Sequence, residues 1–335
     1  MRQDYLFSGM KKIYILALEH SVLQAIAGTQ YCFDTINGFR EQSGQPPLFN
    51  VQLLGLKSPV FPNGNKFSIT PDILLADATA ADLIIIPPLF GDLETSIETN
   101  KAYIPWIRSQ YENGAEVASL CLGAFLLGAT GLLAGKKCST HWNFVNKFRE
   151  MYPEVDIQDG SIVTEESRIY SSGGANSYWN LLLHLVEKYV DRETAILLSK
   201  YFAIDIDRDS QAAFSMFKGQ KGHQDEAILK AQDYIERKLE DRISVEELAD
   251  QVSVGRRSFE RRFKRVTNNS VLEYIQRVKI EAAKRSFETS LKNISEVMFD
   301  VGYTDTKAFR STFKKITGLT PLEYRSKYNK VMGMN

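Results

Sequence analysis

Short apolar runs alternate with amphipathic stretches over the first two hundred positions, and the alternation predicts strands and helices in turn. Runs at Ile13 to Leu18, Val51 to Leu56, Leu83 to Ile86, Glu116 to Leu120 and Ile169 to Ser171 have strand length. Between them, Ile26 to Phe39, Tyr103 to Glu112, Phe125 to Leu133, Trp142 to Met151 and Ser177 to Tyr189 space their apolar residues as helices do. Strands rich in apolar residues and separated by helices make a parallel sheet covered on both faces. The expected fold class is α/β: a doubly wound parallel-sheet amino-terminal domain, followed by something different.

The last third of the chain is helical and duplicated. Ser258-Phe259, Phe263-Lys264-Arg265-Val266-Thr267, Ser270 and Leu272-Glu273-Tyr274 return fifty positions later as Ala308-Phe309, Phe313-Lys314-Lys315-Ile316-Thr317, Thr320 and Leu322-Glu323-Tyr324. Two phenylalanines four apart stack on one helical face, and basic residues occupy the turns that face away. Ser270 with Glu273 and Thr320 with Glu323 fit the S/T-x-x-E capping box, with Pro321 at the favoured first helical position. Ser244 with Glu247 fits a third box, and Ser253 is expected to cap the helix after it. In the second copy Val297, Met298 and Val301 lie on the first helix, Gly302-Tyr303-Thr304 turns, and Asp305 caps the second. The unit is a helix-turn-helix, present twice.

A connector from Val271 to about Glu288, with Leu272, Ile275, Val278 and Ala282 at helical spacing, joins the copies. Eighteen residues at the helical rise span about 27 Å. Neighbouring major-groove faces on one side of B-DNA lie about 34 Å apart. A rigid connector of that reach suits two grips on one duplex.

Residues from about Asp225 to Tyr328 resemble the AraC/XylS-type DNA-binding domain, carried by Gly302-Tyr303-Thr304-Asp305 through Phe309, Phe313-Lys314-Lys315, Thr317-Gly318, Pro321 and Tyr324-Arg325. The resemblance implies an all-α carboxyl-terminal domain with two helix-turn-helix units and double-stranded DNA as partner. In the first reading helix Arg257, Glu260 and Arg261 are expected at base edges, because an arginine fork matches guanine O6 and N7 and a carboxylate accepts from cytosine N4. Arg256, Lys264 and Arg265 are expected at phosphates, which fix register. In the second, Lys307, Arg310 and Ser311 are the base-edge candidates and Lys314 and Lys315 the phosphate anchors. The family places an arginine where Ser311 stands, and Arg310 points roughly 100° away from that position.

Composition sharpens the division. The 335 residues carry 41 basic and 41 acidic side chains, but from Lys221 onward there are 23 Lys and Arg against 17 Asp and Glu. A basic domain and an acidic one therefore share the chain, and a basic domain that grips a polyanion binds in a salt-sensitive way. No apolar run reaches the roughly 18 residues that span a bilayer, so no membrane partner is expected. Met1 to Met10 lacks the apolar core of a secretion signal, and Cys32, Cys121 and Cys138 make no disulfide framework, which implies a reducing cytoplasm. No two histidines and no Cys-x-x-Cys have metal-ligand spacing, so neither metal nor cofactor is expected.

One junction carries candidate chemistry. Val117-Ala118-Ser119-Leu120 should be a strand that turns at Cys121 into a helix, an elbow at the carboxyl edge of the sheet where α/β ligand sites form. A helix amino terminus there would lower the thiol's pKa. His141 is the histidine placed to serve as its base or, as the favoured reading, to cap the helix near Trp142. His184 reads as a packed core histidine.

The Cys121 elbow, Ser139-Thr140-His141-Trp142 and Ser171-Ser172-Gly173-Gly174 leading into 181–187 resemble the PfpI/ThiJ branch of the class I glutamine amidotransferase-like superfamily. Catalytic members of that superfamily use the elbow cysteine. Here Leu122 follows it where many members have histidine, 22–28 hold no carboxylate and only Glu19 lies nearby, and Pro87-Pro88-Leu89 replaces paired glycines. No catalytic set is therefore expected, and Cys121 and His141 are read as walls of a pocket.

The expected organisation is a sensor domain at 11–217, a linker at 218–224 and a DNA-binding domain at 225–330. The function that follows is a sequence-specific transcriptional regulator, a homodimer by resemblance, controlled by a small-molecule effector of unknown identity. The alternatives are a cysteine-dependent amidase or hydratase fused to a DNA reader, and a redox switch at Cys121.

Overall fold

Strand β1 (Lys11–Ala17) lies between β2 (Phe49–Gly55) and β4 (Leu83–Ile86), all parallel, in the computed structural model, which describes residues 9–64 and 66–329. Most of the opening decapeptide, read above for a secretion signal, lies outside the described residues, as does residue 330. The sheet has seven strands in the order β3-β2-β1-β4-β5-β9-β8, where β3 is Ile73–Leu74, β5 Glu116–Leu120, β8 Val163–Glu166 and β9 Ile169–Ser172. Only β8 runs antiparallel, paired to β9. A second, two-stranded sheet pairs β6 (Lys137–Cys138) with β7 (Asp156–Ile157).

The apolar runs form strands because both faces are buried. Ile13, Ile15, Leu83, Ile85, Ala118 and Leu120 enter one core, while Tyr14, Leu16, Ile84, Ile86 and Val117 enter the other. The period of two thus serves two layers. Helices α1 (Leu23–Gln42), α6 (Tyr178–Tyr189) and α7 (Arg192–Tyr201) contribute Phe33, Leu182 and Leu198 to the first core. On the other face lie α2 (Leu93–Thr99), α3 (Tyr103–Glu112), α4 (Gly123–Ala129) and α5 (Val145–Met151). The helix expected over Phe125 to Leu133 starts two residues earlier and ends at Ala129, where 130–135 turn and Gly131 and Gly135 take positive φ.

The chain divides after Gln211. The second unit holds α8 (Glu226–Arg237), α9 (Val245–Gln251), α10 (Arg256–Thr267), α11 (Val271–Thr289), α12 (Ile294–Asp300), α13 (Thr306–Thr317) and α14 (Pro321–Tyr328). Residues 212–224, expected in part as a free linker, pack against these helices. Phe217 stacks edge-on to Tyr274 at 5.1 Å, Gln232 Nε2 donates to Gln220 O at 3.0 Å, and Lys221 pairs with Asp233 and Glu236. The 3%-exposed Lys284 ammonium donates to Glu281 at 2.8 Å and to Ser215 O at 2.5 Å, and Glu281 accepts from Phe217 N–H at 3.0 Å.

The repeat holds at the level of single bonds. Thr267 Oγ1 donates to Phe263 O at 2.7 Å and Thr317 Oγ1 to Phe313 O at 2.8 Å. Asn268 and Gly318 end the two helices with positive φ. Ser270 and Thr320 each close a full capping box, and Asn293 with Glu296 forms one that the sequence reading missed. Ser244 caps α9, but Glu247's carboxylate accepts from Tyr234 Oη at 2.5 Å, away from the cap. Ser253 has φ 53 and caps nothing; Gly255 is the N-cap of α10.

Helix α11 feeds two cores. Val271, Tyr274, Ile275 and Val278 join Phe259 and Phe263, whereas Ile280, Ala283 and Phe287 join Phe309 and Phe313. Leu272, expected on the inner stripe, is 60% exposed, because Val271 and Tyr274 take the inward positions beside it. No helix among the described residues is long and apolar enough to cross a membrane.

Candidate functional site

Buried Phe259 and Phe263, with rings 5.7 Å apart, fix the roll of α10, so Arg257, Arg261 and Lys264 turn away from the core. All three are exposed, and among the described residues no ion pair or side-chain hydrogen bond engages them. Arg256 is otherwise: it pairs with Glu246 of α9, and its Nε lies 3.6 Å from Glu260. Glu260 is thus already addressed by a cation. Arg265 is exposed at 4.0 Å from Asp225.

Arg262 was not among the residues singled out from sequence. Its Nε and Nη2 donate to Asp225 at 2.9 and 2.7 Å, while Asp225 caps α8 by accepting from Ile228 N–H. The guanidinium holds that carboxyl below the usual range, and the fork locks α10 to α8. Nothing local in the sequence signals a pairing across 37 positions.

Helix α13 is capped by Asp305, which accepts from Lys307 N–H and Ala308 N–H. Phe309 and Phe313 are buried, leaving Thr306, Lys307, Arg310, Ser311, Lys314 and Lys315 exposed. Lys314 and Lys315 also sit in the last turn, where cations complement the helix dipole.

In the first unit the elbow forms as expected: β5 ends at Leu120, Cys121 takes φ 50, and α4 begins at Gly123. A side chain at Gly123 would bring its Cβ within 2.5 Å of Ile86 O, so only glycine lets α4 approach β4. Cys121 N–H donates to Ser172 O at 3.0 Å, and Thr140 Oγ1 donates to Cys121 O at 3.1 Å.

The thiol departs from the expected low pKa. Cys121 is 4% exposed, and burial pushes the thiol up to about 12, which a bond to the Leu122 backbone only partly offsets. Desolvation outweighs the helix terminus. Among the described residues no hydrogen bond joins the thiol to His141. Its Nδ1 accepts from Asn143 N–H at 3.2 Å, capping a short 3₁₀ turn at Trp142–Phe144, and burial lowers its pKa. Glu19 pairs with Lys57. His184, read as a core histidine, is 39% exposed along its side chain and pairs with Glu165 at 2.7 Å, because its turn of α6 runs past the edge strand β8.

The carboxyl edge of the sheet is laced by its own groups. Between β1 and β4, where strand order reverses, Val22 N–H donates to Pro88 O and Phe90 N–H to His20 O. Buried Gln211 donates to Thr140 O at 2.9 Å and Ser161 O at 3.1 Å, and accepts from Trp142 N–H. A Cβ on Gly173 would lie 2.0 Å from Gln211 Nε2. Gln211 is the residue around which this edge closes, and no sequence signal pointed to it.

Comparison with known proteins agrees with both halves. A helix-turn-helix domain model matches residues 248–327, and a DJ-1/PfpI family model matches 49–188. The HTH-type transcriptional regulator GbdR of Pseudomonas aeruginosa is 26% identical over 77% of this chain and 69% of its own. Isonitrile hydratase of Pseudomonas putida is 28% identical over 39% of this chain and 55% of its own. A solved chain from Vibrio parahaemolyticus, described as a transcriptional regulator protein, shares the fold of the first unit with a TM-score of 0.51 at 22% identity, over 57% of this chain and 98% of that one. This chain is a DNA-binding regulator that joins a DJ-1/PfpI family domain to an AraC-type helix-turn-helix domain.

Proposed function

We propose that this regulator reads its operator with α10 and α13 as a homodimer, and that a small molecule held by the DJ-1/PfpI domain controls it without being turned over. The observation that carries the reading is the pair of outward basic faces braced on one continuous α11. Arg257 and Arg261 are the base readers of the first unit, with Glu260 available once Arg256 moves to a phosphate. Lys264 and Arg265 anchor the backbone. Lys307, Arg310 and Ser311 read, and Lys314 and Lys315 anchor, in the second unit.

Two substitutions separate the roles. Arg261→Ala should weaken binding to the selected operator by roughly 1 to 3 kcal/mol and relax preference at one base pair. Lys264→Ala should weaken all duplexes alike and reduce the salt slope by about 1. Selection of bound duplex from a random pool, with and without metabolite mixtures, tests binding and ligand response together. Absence of any preferred duplex in either condition would overturn the reading.

A thiol hydrolase or hydratase is the second reading, favoured by the strained Cys121 elbow and by the hydratase relative. Against it stands the thiol itself: a nucleophile must be thiolate, and burial keeps this one protonated. Folded protein at pH 8 should therefore resist iodoacetamide at Cys121, with modification appearing only on unfolding, as read by mass spectrometry. Rapid alkylation of the folded chain would support a reactive thiol, and with it the enzyme or the redox switch.

A further inference from the structure

Helix α7 turns Ala195, Leu198 and Ser199 into its domain and leaves Glu193, Ile196, Leu197, Lys200 and Tyr201 exposed. Those five stand at i, i+3, i+4, i+7 and i+8, which is a single helical face. Leu197 is 49% exposed and Tyr201 55%. Beside them α1 presents Tyr31, whose hydroxyl bonds that of Tyr201 at 3.1 Å, with Phe202 and Phe39 edge-on beneath the two phenols at 5.3 and 5.6 Å. Isolated exposed apolar residues need no explanation, but a contiguous cluster on two adjoining helices marks an interaction surface.

The order of residues in the stripe identifies what fits it. A two-fold interface requires that if one residue meets a second, the second meets the first on the other copy. With two α7 helices antiparallel and the axis passing between Ile196 and Leu197, Ile196 meets Leu197 of the second copy. Glu193 then meets Lys200 of the second copy, and this pairing occurs twice. Arg192 stays outside this face, held within its own chain by Glu187 at 2.8 Å and Asp207 at 3.1 Å. Charge is reversed about an apolar centre, as self-recognition demands and an unrelated partner does not.

We propose that the outward face of α7, flanked by Tyr31 of α1, is where two copies of this chain associate, α7 against α7. The proposal rests on the dimer reading above and names its surface. Sedimentation equilibrium of the full chain without DNA tests it, using Leu197→Glu, Glu193→Lys, Lys200→Glu and the Glu193→Lys/Lys200→Glu pair, all at exposed positions. The wild-type chain should be a dimer at micromolar concentration, Leu197→Glu a monomer, each single charge reversal a weakened dimer, and the double reversal restored. A wild-type monomer would sink the surface and the dimer together. A dimer indifferent to all four variants would sink the surface alone, and DNA selection would stand apart from either result.

Discussion

Phe313→Ala is expected to cost about 3 to 5 kcal/mol and to abolish the second grip on DNA. The ring is fully buried and meets Phe287 at 5.6 Å, Phe309 at 5.8 Å and Tyr324 at 5.5 Å. Those contacts come from α11, α13 and α14, so one side chain ties the second reading helix to two of the helices packed around it. Truncation leaves a void that three separate helices cannot fill by shifting one of them. Urea denaturation should show the loss as a lowered midpoint, and footprinting should show the half of the operator read by α13 unprotected. The separate cluster around Phe259 and Phe263 should keep the first grip. An unchanged midpoint would mean that this core is not the one holding α13.

Lys284→Met should be nearly as damaging, at about 3 to 5 kcal/mol, because it leaves the Glu281 carboxylate buried without its cation. Glu281 is 8% exposed. Lys284 also carries the bond to Ser215 O, so the substitution loosens 215–217 from α11. Replacing both charges, Lys284→Met with Glu281→Leu, should recover most of the loss, since a well-packed apolar pair often matches or exceeds a buried ion pair. The cycle distinguishes an ionic clamp from a merely crowded site. Equal damage from the single and the double variants would argue for crowding.

The parts of this chain that were legible in sequence are those set by near neighbours. Phe259 with Phe263 and Phe309 with Phe313 declare a helical face, Thr320 and Glu323 declare a helix start, and Leu83 to Ile86 declares a strand buried on both sides. Where the reading failed, the deciding partner lay far along the chain. Ser253 looked like a cap until its positive φ passed the role to Gly255. Leu272 fitted the connector's stripe, but α11 serves two cores whose inward faces differ, and Val271 and Tyr274 took the positions. Cys121 was placed correctly at its elbow, yet its chemistry depends on how completely the domain closes over it, which no local motif records. Gln211, ninety residues from that cysteine, is held by Thr140 and Ser161, and only the folded chain brings these together.

The single rod of α11, with one half in each core, has a consequence for the genes it governs. On the proposed reading, a base change within either contacted stretch costs about 1 to 3 kcal/mol at one position and can be absorbed by the remaining contacts. A nucleotide gained or lost between the two stretches cannot, because the protein contains no hinge there to follow it. Promoter spacing should therefore drift more slowly than promoter letters.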